Sequence, residues 1–376
     1  LTKSVQITGW GKYLPTEVLT NQYFEELVDT SDEWIKGRTG ILERRRAHPK
    51  ENTSGLAVKA AWQALDVAGI SPGDIDIILL ATVSPDYIFP GTAYLVQDAL
   101  GASRAAAFDL NAGCTGFVYA LSVASDMIRA GSYQTALVIG AEILTRITDY
   151  QDRTTCVLFG DGAGAAVLQS SDAPGGILST VLGADGSGGG ALQQPAGGSR
   201  HPATAETVEA RMHYIKMNGH EVYRFAVGAM TRAVRQAAKR AGLRIEDIDL
   251  IIPHQANMRI IQSATKSLGI PASKVFINVE KYGNTSAASV PVAICEAVEE
   301  GMIRPGSNIV LVGFGAGLSW GAVALQWGPL VKVPRQAWWK HALRELRNRR
   351  GMASSAARRV GRRVDSWWLR QNGESG

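Results

Sequence analysis

Two rhythms of apolar and polar residues alternate along most of this chain. Short, nearly continuous apolar runs, such as "IDIILLATV" (75–83), "ALVIGAE" (136–142), "LIIPHQAN" (250–257) and "NIVLVGFGAG" (308–317), have the length and composition of buried strands. Stretches such as "GLAVKAAWQALDV" (55–67) and "VGAMTRAVRQAAKR" (227–240) instead place apolar residues at helical spacing. Strands apolar on both faces, alternating with amphipathic helices, predict an α/β fold with a largely parallel sheet covered on both sides.

The pattern also repeats. "AGISPGDIDIILLA" (68–81) aligns without gaps with "AGLRIEDIDLIIPH" (241–254), an offset of 173 residues, and each copy follows an amphipathic helix. Two similar halves, 1–172 and 173–329, are expected, with 330–376 outside the repeat. The offset relates Cys114, in "NAGCTGF", to position 287 within "YGNTSAASVPVAICEAV", another small-residue turn opening a helix. It relates Ala81 to His254, at a strand end. In α/β folds, ligands collect where strand ends and helix starts converge. Cys114, His254 and Asn284 therefore become candidate reactive positions together, although a buried cysteine, a core histidine and a turn asparagine each have ordinary structural uses. At a helix start the free N–H groups and the dipole favour thiolate, so the Cys114 pKa is expected to fall.

Bulk properties narrow the class. The chain has 376 residues, 45% hydrophobic and 19% charged, as in an ordinary globular protein. Three cysteines, Cys114, Cys156 and Cys295, offer no disulfide framework. The N-terminus lacks a signal-peptide pattern, so a cytoplasmic location is expected. The formal charge of +5 conceals an asymmetry. Residues 331–376 hold 12 Lys or Arg against 3 Asp or Glu, leaving 27 against 31 in the rest. The glycine-rich "GDGAGAA" has no Gly-Lys-Ser/Thr after it and reads as backbone packing rather than a phosphate loop.

The segments "NAGCTGF", "PHQAN", "YGNTSAAS" and "GFGAGLSWG", with "SDEWIKGRTGILERR" (31–45), "DRTTCVLFGDGAGAAVL" (152–168) and "MNGHEVYRFAV" (217–227), resemble the 3-oxoacyl-acyl-carrier-protein synthase III family over about residues 1–328. The resemblance implies a thiolase-like duplicated α/β/α/β/α layered fold. It further implies decarboxylative condensation of an acyl-CoA primer with malonyl-acyl carrier protein, through an acyl group on Cys114. His254 and Asn284 would stabilise the enolate, and the backbone N–H groups of Cys114 and Ala316 would hold the oxyanion. Trp34, Arg38, Arg153 and Asn257 would bind coenzyme A or its pantetheine arm. Arg224, Arg259 and Lys266 would dock the acidic carrier protein, and Ile88, Phe89 and Leu318 would line the acyl pocket. Neither metal nor prosthetic cofactor is implied, nor nucleic acid, and a homodimer is expected. Cysteine proteases also combine Cys, His and Asn, but the duplicated halves and the "GFGAG" strand end match the acyl enzyme. The alternatives left open are a related acyltransferase or starter-condensing enzyme of a polyketide-type pathway, and a non-condensing partner or membrane-recruitment subunit.

The chain continues past the family pattern. "RQAWWKHALRELRNRR" and "SAARRVGRRVDSWWLR" each carry an apolar stripe, the second through Ala356, Ala357, Val360, Val364, Trp367 and Trp368, and "GMASS" between them reads as a hinge. A basic, Trp-bearing amphipathic helix fits a membrane surface or a protein partner. Folding back onto the body or remaining disordered are the other readings of residues 331–376.

Overall fold

The computed structural model describes residues 3–328, 351, 353 and 355–360. Two sheets carry the architecture. The first has the order Ser4–Tyr13, Asp161–Ser171, Thr135–Ile143, Ile77–Ala81, Ala106–Leu110. The second runs Leu250–Pro253, Asn308–Gly315, Ser319–Gln326, Gly176–Ala184. Helices Gly116–Arg129 and Ser289–Glu299 lie between them, sharing one core with strand residues such as Leu79, Val138, Ile252, Leu311 and Val323. Helices Thr53–Ala68 and Thr92–Leu100 cover the outer face of the first sheet, and Gly219–Arg240 and Met258–Leu268 that of the second. The result is the expected α/β/α/β/α layering.

The sheets are mixed rather than largely parallel. Ile77–Ala81 pairs in parallel with both of its neighbours, and Leu250–Pro253 with Asn308–Gly315, but the remaining pairings are antiparallel. Connection length explains part of this. Parallel neighbours need a crossover of a dozen or more residues, whereas Asn308–Gly315 returns as Ser319–Gln326 after three.

Each central helix is preceded by a single tight turn, Gly113–Thr115 in one half and Ser286–Ala288 in the other. Glycines let these turns press against strand ends. A Cβ on Gly140 would lie 2.1 Å from the Ala287 carbonyl oxygen, and one on Gly315 would lie 2.8 Å from the Cys114 Cβ. Neither fits, because the obstacle is backbone or a buried neighbour.

Residues 351, 353 and 355–360 are all helical; the rest of "GMASS", where a hinge is expected, and the first segment before it lie outside the described residues. The small residues serve close approach. A Cβ on Gly351 would stand 3.1 Å from the Gly101 carbonyl oxygen, Ser355 is buried, and Arg359 pairs with Asp98 at 2.9 Å. The stripe residues Ala356, Ala357 and Val360 are exposed; Val364, Trp367, Trp368 and the first stripe lie outside the described residues. No helix among the described residues is long and apolar enough to cross a membrane.

Gly140→Ala is expected to destabilise the protein by about 1–3 kcal/mol or more, since overpacking must move the Ala287 backbone. Thermal unfolding checks this, and an unchanged Tm would show that the contact yields.

Candidate active site

Cys114, His254 and Asn284 meet on the wall of one cavity of about 200 Å³. The topology accounts for each position. Cys114 stands in the tight turn before Gly116–Arg129, and His254 follows the last residue of Leu250–Pro253, its N–H donating to Val312 O at 2.7 Å. Asn284 is stitched to the segment 158–160 by two backbone bonds, Asn284 N to Leu158 O at 2.8 Å and Gly160 N to Asn284 O at 3.0 Å.

That segment is itself braced by a buried cation. Arg44 is fully buried; its Nε donates to Val157 O at 2.9 Å, its Nη2 to the same oxygen, and its Nη1 to Asn21 Oδ1 at 2.6 Å, while the guanidinium lies over the Phe24 ring. Burial pulls its pKa down to about 9. The Arg44 stem passes beside Gly160 and Gly283, where added Cβ atoms would meet it at 3.2 and 2.9 Å. Arg44 thus supports Asn284 from beneath, a role with no motif to reveal it.

Hydrogen bonds orient the polar groups. Asn284 Oδ1 accepts from Ser286 N at 2.8 Å, which leaves its amide NH₂ as the donor for the cavity. His254 is buried, and its ring meets Phe314 edge-on at 5.2 Å. Ser289 Oγ stands 2.7 Å from His254 Nδ1 and 2.8 Å from Ser286 O, so its single proton serves one of two acceptors. Desolvation pushes the His254 pKa down to about 3, keeping the ring neutral.

The thiol departs from expectation. Burial pushes the Cys114 pKa up to about 11, opposed by the Ser286 hydroxyl and the residue's own N–H. Desolvation outweighs the helix start here because Cys114 is enclosed.

A second cavity, of about 290 Å³, also reaches Cys114, with apolar walls from Val83, Leu144, Ile147, Phe159, Leu192 and Ile215. Ala316 lines it beside Cys114 and Gly113. Ile88 and Phe89 do not. They are 83% and 85% exposed, on a surface loop between Ile77–Ala81 and Thr92–Leu100. Asp109 holds the N–H groups of Thr92 and Ala93, and Asp86 is bound to Ser54, so the loop is pinned outward at both ends. Leu318 is buried against Gly188, where a Cβ would come within 2.4 Å of it, and is not on the cavity wall.

Trp34 and Arg38 line the mouth of the first cavity with Asn257, whose Nδ2 donates to Arg38 O at 3.1 Å. The Arg153 guanidinium lies 5.0 Å from the Trp34 ring centre and donates to Asp29. Arg224, Arg259 and Lys266 are all exposed, the last two at opposite ends of Met258–Leu268. Among the described residues no group of three His, Cys, Asp or Glu could hold a metal.

Two buried residues were not picked out from sequence. Ser286 has a non-glycine φ of 47° and a buried hydroxyl with no hydrogen-bond partner. Glu142 is fully buried at the end of an apolar strand, and that position was the available signal.

Alkylation of Cys114 by iodoacetamide is expected to climb from pH 8 to 10 without levelling. A plateau below pH 8 would show the helix start prevailing over burial.

Comparison with known proteins gives the same picture. Residues 108–186 match the family model "3-Oxoacyl-[acyl-carrier-protein (ACP)] synthase III", and 238–327 match the model of its C-terminal part. A beta-ketoacyl-[acyl-carrier-protein] synthase III of Symbiobacterium thermophilum is 56% identical over 326 residues, 87% of this chain and 99% of the relative. The 3-oxoacyl-[acyl-carrier-protein] synthase III of Aquifex aeolicus superposes with a TM-score of 0.80 at 46% identity, covering 86% of this chain and 100% of that one. A priming beta-ketosynthase from a polyketide pathway gives 0.81 at 37% identity, covering 87% and 98%. With 56% identity to such a relative over 99% of its length, the chain belongs to the 3-oxoacyl-[acyl-carrier-protein] synthase III family of condensing acyltransferases.

Proposed function

We infer that this chain initiates fatty-acid or related acyl-chain synthesis by transferring an acyl group from coenzyme A to Cys114 and condensing it, with loss of carbon dioxide, with malonyl-acyl carrier protein. The observation that carries the reading is the convergence of Cys114, His254 and Asn284 on one cavity, with a second, largely apolar cavity that Cys114 also lines. The first admits a thioester arm past Trp34, Arg38 and Asn257; the second receives the acyl chain.

In the first step the Cys114 sulfur attacks the thioester carbonyl, and the oxyanion is held by the N–H groups of Cys114 and Ala316. The coenzyme A thiolate leaves, and the acyl group stays as a new thioester. The malonyl thioester then loses carbon dioxide, and negative charge develops on its carbonyl oxygen. Asn284 meets that oxygen with its NH₂, and His254 with Nε2–H. Ser289 supports the required tautomer by turning its proton to Nδ1. Both donors are in place before the charge forms, so little reorganisation is needed. The enolate carbon attacks the acyl carbonyl and expels the Cys114 sulfur. No cofactor enters this scheme, because both substrates arrive as activated thioesters.

A polyketide-type priming role is the second reading, favoured by the likeness to the priming ketosynthase. A homodimer is part of the proposal: Tyr87, Ile88, Phe89 and Tyr94 form an exposed apolar patch. Arg224, Arg259, Lys266 and Arg153 are proposed to meet the acidic carrier and the coenzyme A phosphates. For residues 331–376, contact with an anionic membrane surface or an acidic protein is proposed, on a cytoplasmic enzyme.

Incubation with a panel of acyl-CoAs, followed by mass analysis of Cys114 and of carbon dioxide release from malonyl-carrier protein, tests the reaction. No acyl group on Cys114 with any primer would sink it; acylation without carbon dioxide release would point to a plain acyltransferase. Asn284→Ala is expected to slow condensation by about 100- to 1,000-fold, roughly 3–4 kcal/mol, while Cys114 still acylates. Sedimentation of the intact chain and of a version ending at Pro329, with and without anionic vesicles, tests the assembly. A two-chain mass for both and vesicle binding by the intact chain alone are expected, whereas equal vesicle binding removes the lipid contact and a single-chain mass removes the dimer.

A further inference from the structure

Behind Cys114 lies a carboxyl group that the condensation scheme leaves unused. Glu142 is the penultimate residue of the strand Thr135–Ile143, with no exposed surface. Its Oε2 accepts from Ser84 Oγ at 2.5 Å, Thr82 Oγ1 at 3.1 Å and the N–H groups of Val83 and Ser84 at 3.1 and 3.2 Å. The turn Ser286–Ala288 packs on the strand face that carries Glu142, since a Cβ on Gly140, two residues earlier, would lie 2.1 Å from the Ala287 carbonyl oxygen, and Ser286 lines a cavity with Cys114. The Ser286 hydroxyl favours the charged form of both Glu142 and Cys114, yet it has no partner in full hydrogen-bond geometry. The Ser286 backbone is left-handed at φ 47°, a conformation that residues other than glycine adopt rarely. Asn284 Oδ1, accepting from the Ser286 N–H at 2.8 Å, holds it there.

We propose that Ser286 and Glu142 form a proton relay for Cys114, in which the carboxylate keeps the thiol proton for as long as the sulfur carries the acyl group. During acylation the thiol proton passes to Ser286 Oγ as the Ser286 proton passes to a Glu142 oxygen. The sulfur forms its bond to the acyl carbon, the bond from that carbon to the coenzyme A sulfur breaks, and the departing thiolate takes a proton from water. During condensation the carbon–sulfur bond to Cys114 breaks. Its thiolate takes the Ser286 proton, and Glu142 returns its own to Ser286. Glu142 touches no substrate and acts through Ser286. The inference rests on the acyl-cysteine reading above.

The surroundings suit the role. The groups facing Glu142 are Thr82, Val83, Ser84 and Ser286, none of them charged, and Cys114 is a titratable group that feels its charge. Asp161, paired across the sheet with Ile143, points to the opposite face and is bound by Ala47 and Thr145. Burial lifts the Glu142 pKa to about 7, so the carboxyl group can both accept and return a proton near neutrality.

The test is the burst of coenzyme A release from acetyl-CoA or another accepted primer without malonyl thioester, followed from pH 5.5 to 9.5. In the unaltered protein the burst rate is expected to rise with a midpoint near 7. In Glu142→Gln that step should vanish, with the rate at pH 7.5 lowered about tenfold or more and rising only with hydroxide. Ser286→Ala leaves the carboxyl cage intact and covers the case in which Glu142→Gln does not fold; it should show the same loss of the step. An unaltered pH profile in either folded variant overturns the relay. Failure of the unaltered protein to acylate Cys114, seen by mass, would instead overturn the reading on which the relay rests.

Discussion

Two helix-start turns, Gly113–Thr115 and Ser286–Ala288, are pressed against strand ends that carry no side chain at the points of contact, and the rest of the site depends on that approach. The Gly140 backbone lies against the Ala287 carbonyl, and Gly315 lies against Cys114. A methyl group at either place would separate the layers. Close packing of this kind fixes relative positions because a dense interior has no slack to absorb a shift. The central helices bring the thiol and the asparagine loop to the same level, and Arg44 braces that loop through Val157.

The enclosure that creates this precision also sets the charge state. Burial pushes Cys114 up to about 11, His254 down to about 3 and Glu142 up to about 7, each toward its uncharged form. A neutral resting site suits a reaction whose charge is transient, on an oxyanion and then an enolate. Donors already aimed at those oxygens stabilise charge strongly where water is excluded. The same enclosure leaves the thiol in need of a proton acceptor, since the helix start alone does not ionise it.

Much of this was legible in the residues. Apolar runs and amphipathic stretches located the strands and helices, and the 173-residue offset related the Cys114 turn to the Asn284 loop and a strand end to His254. Periodicity carries such information because burial on one or both faces constrains every second or every third to fourth residue. Strand direction was less legible: a fully buried antiparallel strand such as Asp161–Ser171 reads like a parallel one. Ile88, Phe89 and Leu318 show a further limit, because an apolar side chain does not announce whether it faces a cavity, a neighbour or the surface.

The sequence by itself determined the α/β class and the duplication, since these follow from local pattern, and it singled out Cys114, His254 and Asn284 as candidates through their motifs. Only the tertiary structure decided the protonation balance of Cys114, the bracing by Arg44, and the packing of the Ser286 turn on the strand that carries Glu142. Those depend on desolvation and on contacts between segments 113 to 172 residues apart in sequence. Neither quantity is encoded in the neighbours of any one residue.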